Sequence, residues 1–371
     1  MKLARYKIIV GLLSFLALDA GIFGTGLYSQ ILSPFTIAGR IFYITRYERK
    51  RSATRETDLF VIGDSRIAEE FSVQQAKTTA AAHRLRFIKG GIGGSTLRVW
   101  YYLLREIDPR ADRYLAIVIP LPSYRQTPAL AGFMTQRLLD ADILSQTLSS
   151  YDFYKLSLTY PDWLVRLKLW SRMLLQVQNY RADFEDFLAD PAKRWDLIRL
   201  QKSFDSALGY ETDDDAHPET MEGLRFDSET GNLTYPVRLT SAQRALVDLA
   251  FKHVGRNSRD DDAYAAFWIK KIVEMYRGTQ TKIIISRDPL SPLPEVLKDD
   301  AQPLASFVFE LQQATGVHVI EENTFTYLEQ PKYFFDPFHL NSAGRRQFTD
   351  VFVGKVAEML KPAVTGSAAP R

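Results

Sequence analysis

Four short strand-like runs constrain this chain more than anything else in it. Thr57–Ile62 contains Asp-Leu-Phe-Val-Ile, Tyr114–Ile119 contains Leu-Ala-Ile-Val-Ile, Lys282–Ile285 is a shorter relative of the same pattern, and Arg84–Ile88, with two arginines, reads as a second short strand. Each is followed within two residues by a glycine, proline or serine. A run of strand length without polar alternation fits a strand buried on both faces, as in a parallel sheet. Helical patterns lie between these runs. Ser65–Ala82 is one, and Leu97, Tyr101 and Leu104 share the face of a second. Asp262–Arg277 carries Trp268, Ile272 and Met275, and Ser342–Leu360 carries Phe348, Phe352, Val356 and Met359. Val317–Ile320 predicts a fifth strand. Strands alternating with helices predict an α/β fold with a parallel sheet, and such sheets bind ligands at the carboxyl ends of their strands. Ser65, the cluster Gly90-Gly91-Ile92-Gly93-Gly94, Ser123 and Arg287 all follow predicted strands, so they should gather along one edge.

The N-terminus reads differently. Ile8–Tyr28 is apolar and about as long as a spanning helix requires. Lys2, Arg5 and Lys7 precede it, which predicts a cytoplasmic tip and an extracytoplasmic body. Arg46, Arg49, Lys50 and Arg51 beyond it pull the other way, at a greater distance. No Ala-x-Ala site follows, so a retained anchor over residues 1–32 is favoured over a cleaved signal peptide. Asp19 falls near the middle of that span, where a carboxyl costs ~2.5–3.5 kcal/mol. It is either tolerated there in its protonated form or faces a second membrane protein. Residues 33–55 read as a membrane-proximal connector, 56–362 as the main domain, and 363–371 as a disordered tail.

Residues 129–260 interrupt the alternation and predict a mostly helical insertion. Within it Trp163, Leu167, Trp170 and Leu174 form one helical stripe, read as core, with capping of the site, membrane contact or partner binding as the other roles open to the insertion. Asp213-Asp214-Asp215 lacks the spaced oxygen ligands of a calcium loop and reads as a solvated turn. Asn232-Leu233-Thr234 matches a glycosylation acceptor, a pattern frequent by chance. The formal net charge of +3, with no basic stripe, argues against nucleic acid. The absence of cysteine excludes disulfides, thiolate metal sites and a cysteine nucleophile. No metal or organic cofactor is implied.

Chemistry points to two segments far apart in sequence. Gly63-Asp64-Ser65-Arg66 sets a serine at the end of the first strand, and Asp336-Pro337-Phe338-His339 sets a carboxylate three residues before an imidazole. A serine hydroxyl needs an adjacent base, and the base needs a partner that fixes its tautomer. A lone serine after a strand is ordinarily a helix cap, and the Asp-x-x-His segment is what raises the nucleophilic reading above that one. His83, His217, His253 and His318 have no such context, and Asn341 is placed to cap the last helix.

These motifs, in this order within an α/β alternation, resemble the SGNH (GDSL-type) hydrolase superfamily over roughly residues 56–125 and 280–360. The resemblance implies a three-layer α/β/α sandwich like flavodoxin. It also implies Ser65 as nucleophile, His339 as general base and Asp336 as its orienting partner. The oxyanion hole would use the N–H groups of Ser65 and Gly94. The family's third block ordinarily supplies an Asn. This chain has Pro120-Leu121-Pro122-Ser123-Tyr124 instead, leaving Ser123 or Tyr124 as a substitute donor. Arg66, Tyr124 and Arg287 are candidates for substrate binding.

The anchor and insertion resemble the family's envelope-associated branch. That implies an esterase or O-acyltransferase acting on acyl groups, acetyl foremost, of cell-surface polysaccharide. A multispanning membrane acyltransferase would be its partner, contacted through Asp19. A non-catalytic, membrane-tethered polysaccharide-binding or assembly protein that keeps the fold is the alternative, and a secreted esterase is a third.

Overall fold

The computed structural model describes residues 2–33, 36–121, 138–145, 147–203, 217–227, 230, 232–235, 239–252, 259–289 and 310–361. Five parallel strands form its main sheet: β1 (Asp58–Gly63), β2 (Arg86–Gly91), β3 (Ala116–Leu121), β6 (Lys282–Arg287) and β7 (Val317–Val319). A separate antiparallel pair, β4 (Arg225–Phe226) and β5 (Leu233–Thr234), lies between β3 and β6 in the chain. The sheet order is β2-β1-β3-β6-β7. β1 therefore sits between β2 and β3, so the loops after all three strands open beside one another.

Every residue of β1 and of β3 is buried, as unbroken apolar runs require. Phe60, Ile62, Ile117, Ile119, Ile283 and Ile285 enter one core cluster. There they meet α2 (Ile37–Lys50), α5 (Leu97–Ile107) and α12 (Arg259–Tyr276) through Ile41, Ile44, Leu103, Leu104, Trp268 and Ile272. Leu59, Val61, Ala116, Val118 and Ile284 enter a second cluster. Their neighbours in it come from α3 (Ser65–Glu70), α4 (Val73–Ala80) and α13 (Ser342–Leu360), among them Ile67, Val73, Phe348 and Phe352.

Several expectations change. Residues 33–55 are not simply a connector: α2 buries Ile41 and Ile44 in the first cluster, and its Glu48 takes hydrogen bonds from Arg51 and Tyr114. Two of the cations that weakened the topology argument are committed to the fold, Arg49 to Glu106 and Arg51 to Glu48 and Asp58. The pattern Ser65–Ala82 splits into α3 and α4 because Ser72 leaves the helical region and caps α4, its hydroxyl accepting from Gln75 N at 3.0 Å.

The insertion is mostly helical where it is described: α6 (Leu139–Leu144), α7 (Ser150–Leu158), α8 (Trp163–Leu174), α9 (Arg181–Ala189), α10 (Pro191–Ser203) and α11 (Ser241–Lys252). The stripe on α8 is not core. Trp163 is 64% exposed and Leu174 75%, Leu167 and Trp170 are exposed beside them, and Leu169 on the opposite face is the buried residue of the helix.

Among the described residues one helix is long and apolar enough to cross a membrane, over Tyr6–Gly24. It comprises α1 (Lys2–Asp19) and a single wide turn, Ala20–Gly24. It ends before the expected Tyr28, and Asp19 lies in its last third, one turn short of Gly24. The Asp19 carboxylate is buried. It accepts the backbone N–H groups of Gln176 at 2.7 Å and Val177 at 2.8 Å, capping the turn that follows α8. Tyr28 is drawn down to the insertion as well, donating its hydroxyl to Asp183, which also receives Ser33 N and Arg194.

Candidate active site

The serine is placed by packing of backbone against backbone. Asp64 caps α3, its carboxylate accepting the Arg66 N–H at 2.8 Å, so Ser65 opens the helix directly beyond β1. The helix sits close to the sheet because two strand residues lack side chains. A Cβ on Gly63 would lie 2.3 Å from the Ile67 side chain, and one on Gly91 would lie 2.4 Å from the Ala68 backbone nitrogen. At the far end of α3 the buried Lys89 ammonium donates to the carbonyls of Ala68 and Phe71, both at 3.3 Å. The loop after β2 turns beside the serine. Ser95 N–H closes the turn onto Ile92 O at 3.0 Å, Gly94 adopts φ +72°, and a Cβ on Gly93 would stand 4.0 Å from that of Ser65. The N–H groups of Gly93 and Gly94 are not used in closing this turn.

The histidine arrives on a tight loop ahead of α13. Phe334 and Leu340 bridge the loop ends, and Phe335 N–H donates to His339 O at 3.1 Å. Asp336 organises the interior, its Oδ1 accepting the N–H groups of Phe338 at 2.7 Å and His339 at 2.8 Å. The same carboxylate faces the imidazole, with Nδ1 2.8 Å from Oδ2 and 3.0 Å from Oδ1. On the other side of the ring Nε2 is 2.8 Å from Ser65 Oγ. Asn341 caps α13, accepting from Ala343 and Gly344, and donates to the carbonyls of Lys332 and Glu219.

Ser65, His339 and Asp336 thus form one hydrogen-bonded chain at the carboxyl edge of the sheet, although 274 positions separate the first two. With Nδ1 protonated toward the carboxylate, Nε2 is an acceptor for the serine proton, which is the arrangement nucleophilic acyl chemistry needs. The imidazole is partly open, at 16% exposure, and the carboxylate is nearly closed, at 5%.

A second cluster lies beneath the serine, and the motifs do not announce it. Arg66 points between Asp64 at 3.6 Å and Asp288 at 3.8 Å. Glu70, fully buried at the end of α3, accepts the N–H of Leu340 at 3.2 Å and so ties α3 to the residue after His339. Glu70 Oε2 and Asp288 Oδ1 have no hydrogen-bond partner among the described residues. Burial pushes Asp288 up to about 7 from an ordinary 3.8; Arg66 opposes the shift and Asp64 adds to it. Burial and the Asp288 charge likewise hold Glu70 well above its usual range, with Arg66 again opposing. The one legible signal for Asp288 was its place just beyond the fourth apolar run, and Glu70 had none.

The sign of the linkage follows. Between about pH 4 and pH 7 folded Asp288 keeps a proton that the unfolded chain has released, so stability falls as pH rises through that window. Asp288→Asn is expected to reduce this slope and to make the protein more stable than the parent at pH 8. Urea denaturation at pH 5 and pH 8 measures both. The slope should diminish rather than vanish, because Glu70 contributes with the same sign. An unchanged slope would mean that Asp288 is ionised throughout.

The remaining predicted residues divide. Arg287 is buried and paired with Glu329 at 2.5 Å. Ser123, Tyr124, His253 and the acidic run 213–215 lie outside the described residues. His217 is not idle: it stacks on Phe335, with ring centroids 3.9 Å apart, and so braces the histidine loop from the insertion. Among the described residues no cluster of three or more His, Asp or Glu side chains is arranged to hold a metal ion. The sequence matches no protein-family model, and no curated protein aligns with it significantly.

Proposed function

We propose that the chain is a membrane-anchored serine esterase or O-acyltransferase of the SGNH type, its body on the extracytoplasmic side. The observation that carries the reading is the hydrogen-bonded series Ser65 Oγ, His339 Nε2, His339 Nδ1 and Asp336 at a sheet edge. Further support comes from the strand order β2-β1-β3-β6-β7, which is 2-1-3-4-5 when only the sheet strands are counted, the flavodoxin-like order. On this reading the fold is the three-layer α/β/α sandwich.

The Ser65 hydroxyl attacks the carbonyl carbon of an ester while His339 Nε2 takes its proton. The tetrahedral oxyanion is held by the N–H groups of Ser65 and of the Gly93-Gly94 turn, fixed donors of a kind typically worth ~2.7–4 kcal/mol. Collapse expels the alcohol, which recovers the proton from His339 and leaves an acyl-serine. Water or a sugar hydroxyl then gives up its proton to His339 and takes the acyl group, yielding acid or a new ester, while His339 returns that proton to the departing Ser65 Oγ. Asp336 stabilises the imidazolium throughout and keeps its own charge. Acetyl groups on envelope polysaccharide are the substrate class the family analogy favours, with a multispanning acyltransferase as donor.

Labelling with a serine-directed fluorophosphonate tests the central step. The folded wild type is expected to be labelled, and Ser65→Ala to lose the label. A folded wild type that resists labelling would favour the non-catalytic, polysaccharide-binding reading.

A further inference from the structure

The exposed face of α7 and α8 asks for a partner. Tyr151 and Tyr154 on α7 and Trp163, Leu167, Trp170 and Leu174 on α8 are all open to solvent, while Phe153, Leu156 and Leu169 on the reverse sides are buried. The four α8 positions fall on one side of a helix about 18 Å long. The aromatic rings are held in place. Trp170 donates its indole N–H to Ser157 Oγ at 2.8 Å and stacks on Tyr154, with centroids 6.3 Å apart. Lys155 and Lys168 are exposed on the same two helices, and the Lys155 ammonium stands over the Tyr151 ring at 5.3 Å. Soluble proteins seldom leave a contiguous apolar face of this kind in water. Tryptophan, tyrosine and lysine around a leucine stripe are instead the composition of a helix lying in a membrane interface, with rings at the headgroup level and lysines among the phosphates.

The fold says which membrane. Leu174 runs directly into Gln176 and Val177, whose N–H groups are the two held by Asp19 at the end of α1. At the same junction a Cβ on Gly24 would stand 3.4 Å from the Gln176 side chain. The C-terminal end of α8 is therefore clamped to the last turns of the apolar helix, between Asp19 and Gly24. We propose that the α7–α8 face lies on the bilayer that α1 enters, its aromatic rings at the boundary between headgroups and acyl chains. The inference rests on the anchor reading of α1 and adds a second, surface contact that fixes the height of the body above the lipid.

Tryptophan quenching by brominated lipid tests this on the full chain. Trp100 and Trp268 are buried and supply an unquenched background, and Trp195→Phe in all samples removes the remaining exposed indole. The protein is reconstituted into vesicles of phosphatidylcholine and phosphatidylglycerol brominated at shallow or deep acyl positions. The expected result is co-flotation with the vesicles and strong quenching that is greatest for shallow bromines. Quenching should fall by more than half in Trp163→Phe/Trp170→Phe. Leu164→Glu, at an exposed position of α8, is expected to lower the quenching with both tryptophans in place. Co-flotation without quenching, or quenching indifferent to the double variant, would overturn the surface contact and leave the anchor standing. Failure to float would overturn both.

Discussion

Asp336→Asn is expected to lower ester turnover by about 10⁴-fold while the thermal midpoint stays within a few degrees of the parent. The two oxygens of Asp336 have separable duties. Oδ1 accepts the N–H groups of Phe338 and His339 and so shapes the loop. Oδ2 is the closer oxygen to the imidazole, at 2.8 Å from Nδ1. An asparagine can keep its oxygen on the two amides and preserve the loop. Its NH₂ then faces Nδ1 as a donor, which drives the ring proton to Nε2 and leaves no lone pair to receive the serine proton. Activity on an activated ester such as nitrophenyl acetate should collapse, and fluorophosphonate labelling of Ser65 should slow in parallel. Asp336→Ala should lose activity and stability together, because it also releases the two amides. Near-normal turnover in folded Asp336→Asn would count against the triad, because Asp336 would not then be what fixes the His339 tautomer. Turnover lost together with the fold would mean that the loop, rather than the tautomer, had been tested.

How much of this was readable beforehand depends on the range of each interaction. The strands were legible because burial on both faces writes itself as an unbroken apolar run, and Leu59–Ile62 and Ile283–Ile285 are where such runs predict them. Ser65, Asp336 and His339 were legible only together, because a serine after a strand and an Asp-x-x-His segment are each common and gain meaning from their order within the α/β alternation. Glu70 and Asp288 were not, since what makes them unusual is their burial and the one carboxylate oxygen on each that has no hydrogen-bond partner among the described residues, a property of the assembled core. The stripe on α8 was read with the right period and the wrong environment. Helical spacing of Trp163, Leu167, Trp170 and Leu174 says that one side is apolar, but not whether protein covers it. Asp19 shows the same limit from the other side: its cost inside an apolar helix was evident, and its remedy lay some 157 positions away at Gln176.

Gly91→Ala is expected to damage the site from outside it. The added methyl would lie 2.4 Å from Ala68 N and 2.8 Å from Ala68 Cα, and these are backbone atoms that no rotamer change can move. Either α3 lifts away from β2 or the strand bends. Overpacking of this kind costs about 1–3 kcal/mol, and the displacement carries Ser65, which opens α3, away from His339 Nε2. A misplacement near 1 Å can cost about 10²-fold in rate, so labelling should slow far more than the loss of stability alone would require. Gly93→Ala is the control on the opposite side of the serine. Its methyl would meet the Ser65 Cβ at 4.0 Å, an ordinary contact, so the fold should hold. If Gly91→Ala kept wild-type labelling at a temperature where it is fully folded, the approach of α3 to β2 would not be what positions the serine. If Gly93→Ala proved as disruptive as Gly91→Ala, the turn rather than the helix would be the tighter constraint. The expected order therefore tests whether the nucleophile is held by its own backbone against a bare strand, as the Gly63 and Gly91 contacts require.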